Sequence, residues 1–268
     1  RELMQASTKD RFHRMAVSLR RHSVNVLKSR SFEMFSVLCV FVAGAVFFTW
    51  PLARDVSGSM YGFHGDGTGG IAYYRELAQG GLAPFLPGTL EDWAVPFGRP
   101  IQWVTGLAFF GSGLVLWVLA LVVGAVGAYA LFTIGGYALT GAATFALVRW
   151  LGGSRPAGLV AGWAFAFYPF ALGKGMGHTD HMQGWVLVVL LWALLWLSRA
   201  PTFRRGLIAG AVAVAGLTFS AYFILFGAIP IMVVGSWGLV RAWRNLGWAP
   251  AARAYSAFLT LPVLATAV

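Results

Sequence analysis

Residues 101–148, IQWVTGLAFFGSGLVLWVLALVVGAVGAYALFTIGGYALTGAATFALV, contain no charged residue. A membrane-spanning helix needs about 20 apolar residues, so this stretch is too long for one crossing and short for three. It predicts more than one passage of helix through a membrane, with breaks between the passages. Glycine weakens a helix, and the candidate breaks are Gly111, Gly113, Gly124, Gly127, Gly135 and Gly136.

The composition of the whole chain extends this prediction. Of its 268 residues, 58% are hydrophobic and 11% are charged, and the mean hydropathy is +0.71. In soluble domains about a quarter of the residues are charged. We therefore expect an all-α polytopic membrane protein. The single cysteine, Cys39, excludes disulfides and cysteine-based metal sites within the chain.

Basic residues outnumber acidic ones and give a formal net charge of +11, but they fall in short clusters between apolar runs. Such clusters are typical of loops that stay in the cytoplasm. We interpret the charge as a topology signal and expect no nucleic-acid partner. The clusters are Arg149 with Arg155, Arg199 with Arg204 and Arg205, and Arg241 with Arg244 and Arg253.

These clusters predict a topology. If all three are cytoplasmic, residues 157–171 lead outward, residues 182–198 return, and residues 206–240 form a hairpin that turns near Ser220. Residues 174–181 then lie outside. The uncharged stretch must make an odd number of crossings, either three short passes or one full pass with a re-entrant segment.

Two domains are expected. Residues 1–33 form a cytoplasmic basic segment, either an amphipathic helix on the anionic inner leaflet or a solvated linker. Residues 34–268 form the transmembrane domain, whose first span covers residues 35–52. We expect the chain to be a piece of a longer protein, because residues 255–268 begin a further span that the end of the chain truncates.

Residues 54–100 are expected to form a large extracytoplasmic loop, since they follow the first span and contain no long apolar run. The loop is rich in glycine, proline and aromatic residues. A short interfacial helix is predicted at residues 71–78 and a further turn at residues 89–93.

This loop contains the candidate catalytic residue, Asp66, which lies between two glycines. Its carboxylate could act as a general base or as a ligand of a hard metal ion, with His64 as a neighbouring ligand. The alternative is an ordinary Gly-Asp-Gly turn. Arg75 could bind a phosphate group, because guanidinium matches phosphate geometry; at a loop surface, water could equally screen its charge.

A second candidate group follows Pro169, which should end or kink its helix. Lys174, His178, Asp180 and His181 gather there between two apolar runs. Ionisable residues in such a place indicate function, here recognition of a phosphate or binding of a divalent metal. The His-x-Asp-His spacing matches no zinc motif, and solvation of Lys174 and His181 at the interface is the alternative.

The turn of the predicted hairpin adds two residues. Ser220 and Tyr222 should lie on the same side as residues 174–181 and could line the same cavity. After Asp92, Asp180 is the only carboxylate in the chain, so acid-dependent chemistry must use this turn or the first loop.

The order of these motifs resembles that of GT-C fold integral membrane glycosyltransferases, which use polyprenyl-phosphate sugars. The resemblance covers about residues 50–225. It is carried by Thr49-Trp50-Pro51-Leu52, Gly65-Asp66-Gly67 before Tyr73-Tyr74-Arg75, Pro84-Phe85, Val95-Pro96-Phe97-Gly98, Leu139-Thr140-Gly141 to Leu147-Val148-Arg149, Ala157-Gly158-Leu159-Val160-Ala161-Gly162, Phe165-Ala166-Phe167-Tyr168-Pro169-Phe170, Gly177-His178 and Trp185.

The resemblance implies a GT-C-like helix bundle in the cytoplasmic membrane and an inverting sugar transfer on its extracytoplasmic face. The donor would be a polyprenyl-phosphate sugar and the acceptor a glycan, lipid or protein. An acidic residue of the first loop is catalytic in such enzymes, which corresponds to Asp66. Gly-Asp-Pro or Asp-Asp is commoner than Gly-Asp-Gly there. The histidine of the Gly-His motif corresponds to His178, which we expect to contact the donor phosphate. Lys174, Arg75 and Tyr222, singled out above from their residue types and positions, are the further candidates for donor binding.

Two other classes compete with this interpretation. A transporter or flippase of lipid-linked glycans would carry ionisable residues near the middle of its spans, and this chain has almost none there. A non-catalytic subunit of envelope assembly would not depend on Asp66. No cofactor is firmly expected, and a divalent metal bound by Asp66, His64, Asp180 or His181 is the one candidate.

Overall fold

The computed structural model describes residues 30–50, 52–62, 71–72, 74–76, 78–79, 89–90, 99–100 and 109–266. Two compact units, Arg1–Val40 and Phe41–Val268, divide the chain, and the following account concerns the second. Most of the predicted basic segment, up to residue 29, lies outside the described residues.

The described chain is predominantly helical. The helices are α1 (Arg30–Phe48), α2 (Phe110–Trp150), α3 (Arg155–Ala166), α4 (Pro169–Gly175), α5 (Trp185–Arg199), α6 (Phe203–Leu217), α7 (Ala221–Leu246) and α8 (Trp248–Thr266). Short 3-10 turns occupy Leu52–Arg54 and Thr179–Met182.

Among the described residues, the helices α1, α2 and α7 are long and apolar enough to cross a membrane. The pair α3 and α4, bent by 42° at its break, adds a fourth candidate if it counts as one span. The prediction of a helical membrane protein with several spans is confirmed at this level.

The long helix α2 is broken at Gly124. At about 1.5 Å per residue, its 41 residues would be roughly twice as long as the ~30 Å hydrocarbon core of a bilayer. Gly124 has φ 76° and ψ 171°, which a helix cannot accommodate. The break therefore divides α2 into a shorter segment before Gly124 and a longer one that ends at Trp150.

Both segments of α2 begin close to the same part of the fold. The amide of Gly111 donates to the carbonyl of Thr218 at 2.9 Å, and the hydroxyl of Tyr129 donates to the carbonyl of Tyr61 at 2.7 Å. The number of membrane crossings in residues 101–148 stays a prediction.

Small residues allow the helices to pack closely. A Cβ atom on Gly162 would meet the carbonyl of Gly141 at 2.6 Å, so α3 and α2 are nearly in backbone contact. In α6, a Cβ atom on Gly206 would overlap the carbonyl of Ala254 in α8, and one on Gly210 would meet that of Phe258 at 2.5 Å. The sequence positions increase together in this second pair, so α6 and α8 run parallel.

The predicted hairpin is present. The helix α6 ends at Leu217, a turn of three residues follows, and α7 begins at Ala221. Pro230 interrupts α7, and a single π-helical turn at Ile231–Gly235 absorbs the interruption. The last helix begins at Trp248, earlier than the predicted residue 255, because Gly247, at φ 85°, already ends α7.

The three basic clusters lie at one end of the bundle. The guanidinium of Arg199 stacks 3.6 Å above the ring of Trp150. Arg199 and Arg241 line one cleft, and Arg204 and Arg253 line another. Both clefts share Pro201 and Thr202, where α5 connects to α6.

Only small parts of the predicted loop 54–100 are described. Residues 71–72, 74–76 and 78–79 are helical. Thr89–Leu90, where a turn was predicted, instead pairs antiparallel with Arg99–Pro100 as a two-stranded ladder.

Candidate functional site

The site is built on the interval between α4 and α5. Pro169 occupies the first turn of α4, where its missing N–H is not needed. The helix ends at Gly175, and residues 177–181, Gly-His-Thr-Asp-His, form a compact turn that we call the histidine turn. The amide of His178 donates to the carbonyl of Lys174 at 2.9 Å, and that of His181 donates to the carbonyl of His178 at 3.2 Å.

These local bonds bring three ionisable side chains of the histidine turn together. One ligand atom from each of His178, Asp180 and His181 lies within 4.8 Å of the other two. The two imidazole rings meet edge to face with centroids 5.4 Å apart. Two nitrogens and a carboxylate therefore face one small volume.

The start of α7 completes this cluster. The hydroxyl of Ser220 donates a short hydrogen bond to Oδ2 of Asp180, which fixes the orientation of the carboxylate. The ring centroid of Tyr222 lies 4.4 Å from the ring centroid of His181 and 6.4 Å from that of His178. Residues some forty positions apart thus form one site.

Burial lowers the pKa of His181 below that of a free imidazole; the nearby His178 and Lys174 lower it further, and Asp180 opposes them. The His181 side chain is 9% exposed. Its ring is therefore neutral at neutral pH, the form in which one ring nitrogen accepts a hydrogen bond or binds a metal.

The first loop contacts residues 172–179 both before and after residues 63–70. Before them, the hydroxyl of Tyr61 donates to the carbonyl of Leu172 at 3.3 Å, and Gly62, at φ 100°, lies so close to the backbone of Met176 that a Cβ atom would overlap it. After them, the hydroxyl of Tyr74 lies 2.7 Å from Oγ1 of Thr179 in a buried hydrogen bond.

Polar groups hold the residues that follow the histidine turn against α2. Oγ1 of Thr140 accepts from the amide of Trp185 at 2.9 Å and donates toward the carbonyls of Gly136 and Met182. Nε2 of Gln183 donates to the carbonyl of Phe132 at 3.0 Å. Residues 182–185, which directly follow the histidine turn, are therefore fixed by hydrogen bonds to α2.

An apolar cavity of about 170 Å³ opens beside the cluster. His181 lines it together with aromatic and aliphatic side chains of four helices, so an apolar group placed in the cavity would reach the imidazole. Its lining includes Phe165, Tyr168, Leu187, Phe223 and Phe226.

The predicted site residues divide into three groups. The structure brings His178, Asp180, His181 and Tyr222 together. Lys174 is exposed at the end of α4 and acts electrostatically on His181.

The other predicted residues belong to the first loop. Arg75 is exposed and follows Tyr74, whose side chain reaches the histidine turn. The candidate base Asp66 and its neighbour His64 lie outside the described residues.

Several residues that build the site carry no recognisable motif. Thr179, Gln183 and Thr140 are uncharged and give no sequence signal for long-range pairing. A polar residue inside an apolar run, as Thr140 is, would have been the one indication, since buried hydroxyls require partners.

Comparison of the chain with protein-family models, with curated proteins and with solved structures found no match.

Proposed function

We propose that this protein is a membrane glycosyltransferase of the GT-C type, which transfers a sugar from a polyprenyl-phosphate donor to a glycan, lipid or protein acceptor on the extracytoplasmic face. One observation carries the proposal. The residues on both sides of residues 63–70, which contain Asp66, are bonded to the segment that contains the histidine turn.

Two contacts beside residues 63–70 support the proposed role of Asp66. Gly62 contacts the backbone of Met176, and Tyr74 reaches Thr179. Since the residues before and after residues 63–70 both contact residues 172–179, the proposal assigns Asp66 to act beside the cationic groups of that segment. This is the arrangement that an acid–base transfer with an anionic leaving group needs.

The chemistry requires few groups. Asp66 would accept the proton of the acceptor hydroxyl while the acceptor oxygen forms its bond to the anomeric carbon. The bond from that carbon to the phosphate oxygen breaks at the same time, and its electron pair leaves with the polyprenyl phosphate. Attack from the side opposite the leaving group inverts the anomeric configuration.

The departing phosphate carries the negative charge, and the site offers groups that stabilise it. Lys174 supplies an ammonium group, and His178 and the hydroxyl of Tyr222 supply hydrogen-bond donors beside it. Arg75 follows Tyr74 in the helical residues that reach the turn. The apolar cavity next to His181 would receive the isoprenoid units nearest the phosphate.

The charge distribution supports the assigned orientation. The arginines gather at one end of α5 and α6, whereas the histidine turn and Ser220 lie at the other. Basic ends stay in the cytoplasm, so the site would face the opposite side. That is the side on which polyprenyl-phosphate sugars are used by enzymes of this type.

The test is the Asp66→Asn variant of the full-length protein in membranes, with transfer of a radiolabelled sugar from a polyprenyl phosphate as the readout. We expect a loss of at least 100-fold, since a positioned general base typically contributes 10²–10⁴-fold. The matched control is Asp55→Asn. Asp55 lies in the same loop, but its carboxylate accepts from the amide of Gly58 at 2.9 Å and from the hydroxyl of Ser57 at 3.3 Å in a local turn.

Retained transfer in Asp66→Asn would overturn the catalytic assignment of Asp66. If neither variant nor the unaltered protein transfers sugar, while proteoliposomes move lipid-linked glycan across the bilayer, the flippase alternative replaces the proposal. If the protein shows neither activity and both variants still support envelope assembly, the remaining interpretation is a non-catalytic structural subunit.

A further inference from the structure

We propose that His178, Asp180 and His181 bind one divalent cation of the zinc class, with an open coordination position for an anionic oxygen. The inference deepens the proposed function, on which the role of the open position rests. Cation binding itself rests only on the geometry of the cluster.

The ligand types select the class of ion. Two imidazole nitrogens with one carboxylate oxygen suit zinc and similar first-row metals, whereas calcium and magnesium prefer oxygen ligands. Three protein ligands leave the fourth tetrahedral position open, as in catalytic zinc sites. Two of the five histidines of the chain meet here beside the only carboxylate that follows Asp92.

The distances require only a small adjustment. The ligand atoms lie within 4.8 Å of one another, and in a tetrahedral site with zinc–nitrogen bonds of about 2.0–2.1 Å they would be about 3.3 Å apart. Binding would therefore draw the ligand atoms together, from separations of up to 4.8 Å to about 3.3 Å.

Ser220 gives the cluster an outer support. Its hydroxyl holds Oδ2 of Asp180, and the second oxygen of the carboxylate can then bind the ion. Metal-binding carboxylates usually have such a hydrogen-bonded partner, and losing it typically lowers affinity by about 10–100-fold. The rings of Phe170 and Tyr222 each pack against the ring of His181 and restrict its rotation.

The open position would suit a phosphate oxygen. Lys174 adjoins the histidine turn, since its carbonyl accepts from the amide of His178 at 2.9 Å, so a bound cation and the ammonium group of Lys174 would both attract a phosphate. The cation would then neutralise charge on the leaving group, as metal ions do in other transfers of this kind.

The experiment uses the full chain in detergent, purified without a histidine tag and stripped with a chelator. Zinc binding is measured by titration calorimetry, and cobalt is added separately as a spectroscopic probe. We expect one equivalent of zinc and the visible absorption of tetrahedral cobalt. Asp180→Asn and His181→Gln should weaken zinc binding by at least 10-fold, and the control His22→Gln should leave it unchanged.

Ser220→Ala keeps all three ligands and should weaken binding by about 10-fold, so it tests the site even if a ligand variant does not fold. Absence of a stoichiometric zinc site in the unaltered chain overturns the inference. So does equal binding in Ser220→Ala, or in a folded Asp180→Asn or His181→Gln variant.

The two proposals fail separately. Sugar transfer that persists in the chelator-treated enzyme, together with absent zinc binding, removes the metal site and leaves the transferase. Zinc binding at these residues without sugar transfer removes the transferase and leaves the metal site.

Discussion

The hydroxyl group of Tyr74 makes a hydrogen bond that joins the first loop to the histidine turn. Its partner, the hydroxyl of Thr179, is buried, and the two oxygens are 2.7 Å apart. Another tyrosine, Tyr255, has a buried hydroxyl without a hydrogen-bond partner in the described part of the chain. The two tyrosines therefore form a matched pair for measuring what one satisfied hydroxyl contributes.

We expect Tyr74→Phe to destabilise the protein by about 1–3 kcal/mol, because it leaves the Thr179 hydroxyl unsatisfied in a buried place. Tyr255→Phe should be neutral or slightly stabilising, because it removes a hydroxyl that was buried without a partner. The measurement is thermal unfolding in detergent for both variants. An equal effect of the two changes would show that the Tyr74 hydrogen bond adds nothing.

Adding Thr179→Val closes a double-mutant cycle. If the hydroxyl pair interacts, the double variant should be more stable than the sum of the two single effects predicts, by about 0.5–3 kcal/mol.

At the scale of single residues, only part of the site follows from the sequence. His178, Asp180 and His181 are near neighbours in the chain, so their meeting needed little beyond a tight turn. Ser220 and Tyr222 could be placed beside them because the basic clusters predict the hairpin. The Tyr74–Thr179 contact could not, because a pair of uncharged residues 105 positions apart follows from tertiary packing alone.

Among the elements, α2 shows how one residue sets the path of a helix. Gly124 and Gly135 lie in the same helix, and a Cβ atom on either would meet nothing within 4 Å. They differ in backbone conformation, since only Gly124 has a positive φ, 76°. Replacing each by alanine therefore separates backbone strain from steric overlap.

We expect Gly124→Ala to destabilise the protein by about 1–3 kcal/mol, because alanine is strained at that φ and ψ. Gly135→Ala should stabilise it by about 0.5–1 kcal/mol, since alanine favours a helix. Thermal unfolding in detergent measures both. Destabilisation by both variants, or by neither, would contradict a break that depends on Gly124.

The existence of the helices is readable from the sequence, but the position of this break is not. Apolar runs and basic clusters define where helices begin and end. Six glycines of the uncharged stretch were equal candidates for the break. Their surroundings in the structure differ because they contact different residues far along the chain. Gly136, for example, lies in the unbroken part of α2. Gln183 and Met182 approach it too closely for a Cβ atom to fit.

For the whole molecule, the orientation of the bundle is the decisive question. The proposed function places the histidine turn and the first loop outside and the arginine clusters inside. Ala72 and Asn245 are exposed residues of these two regions. Cysteines introduced there, in a Cys39→Ser background, report the side of the membrane on which each lies.

In intact cells, a membrane-impermeant maleimide should label Ala72→Cys and should label Asn245→Cys only after the membrane is permeabilised. The physical reason is the positive-inside bias of the arginine clusters. Labelling of both positions from the same side would contradict the topology, and labelling in the reverse order would place the site in the cytoplasm.

The length of α5 has a consequence for the surrounding lipid. Its 15 residues extend about 22 Å, several ångströms less than the ~30 Å hydrocarbon thickness of a bilayer. Hydrophobic mismatch of this size is relieved by local thinning of the lipid or by polar groups that sit below the headgroup plane. Under the proposed function, in which α5 crosses the membrane, either response would shorten the distance that the headgroup of the polyprenyl-phosphate donor moves along the membrane normal to reach the histidine turn.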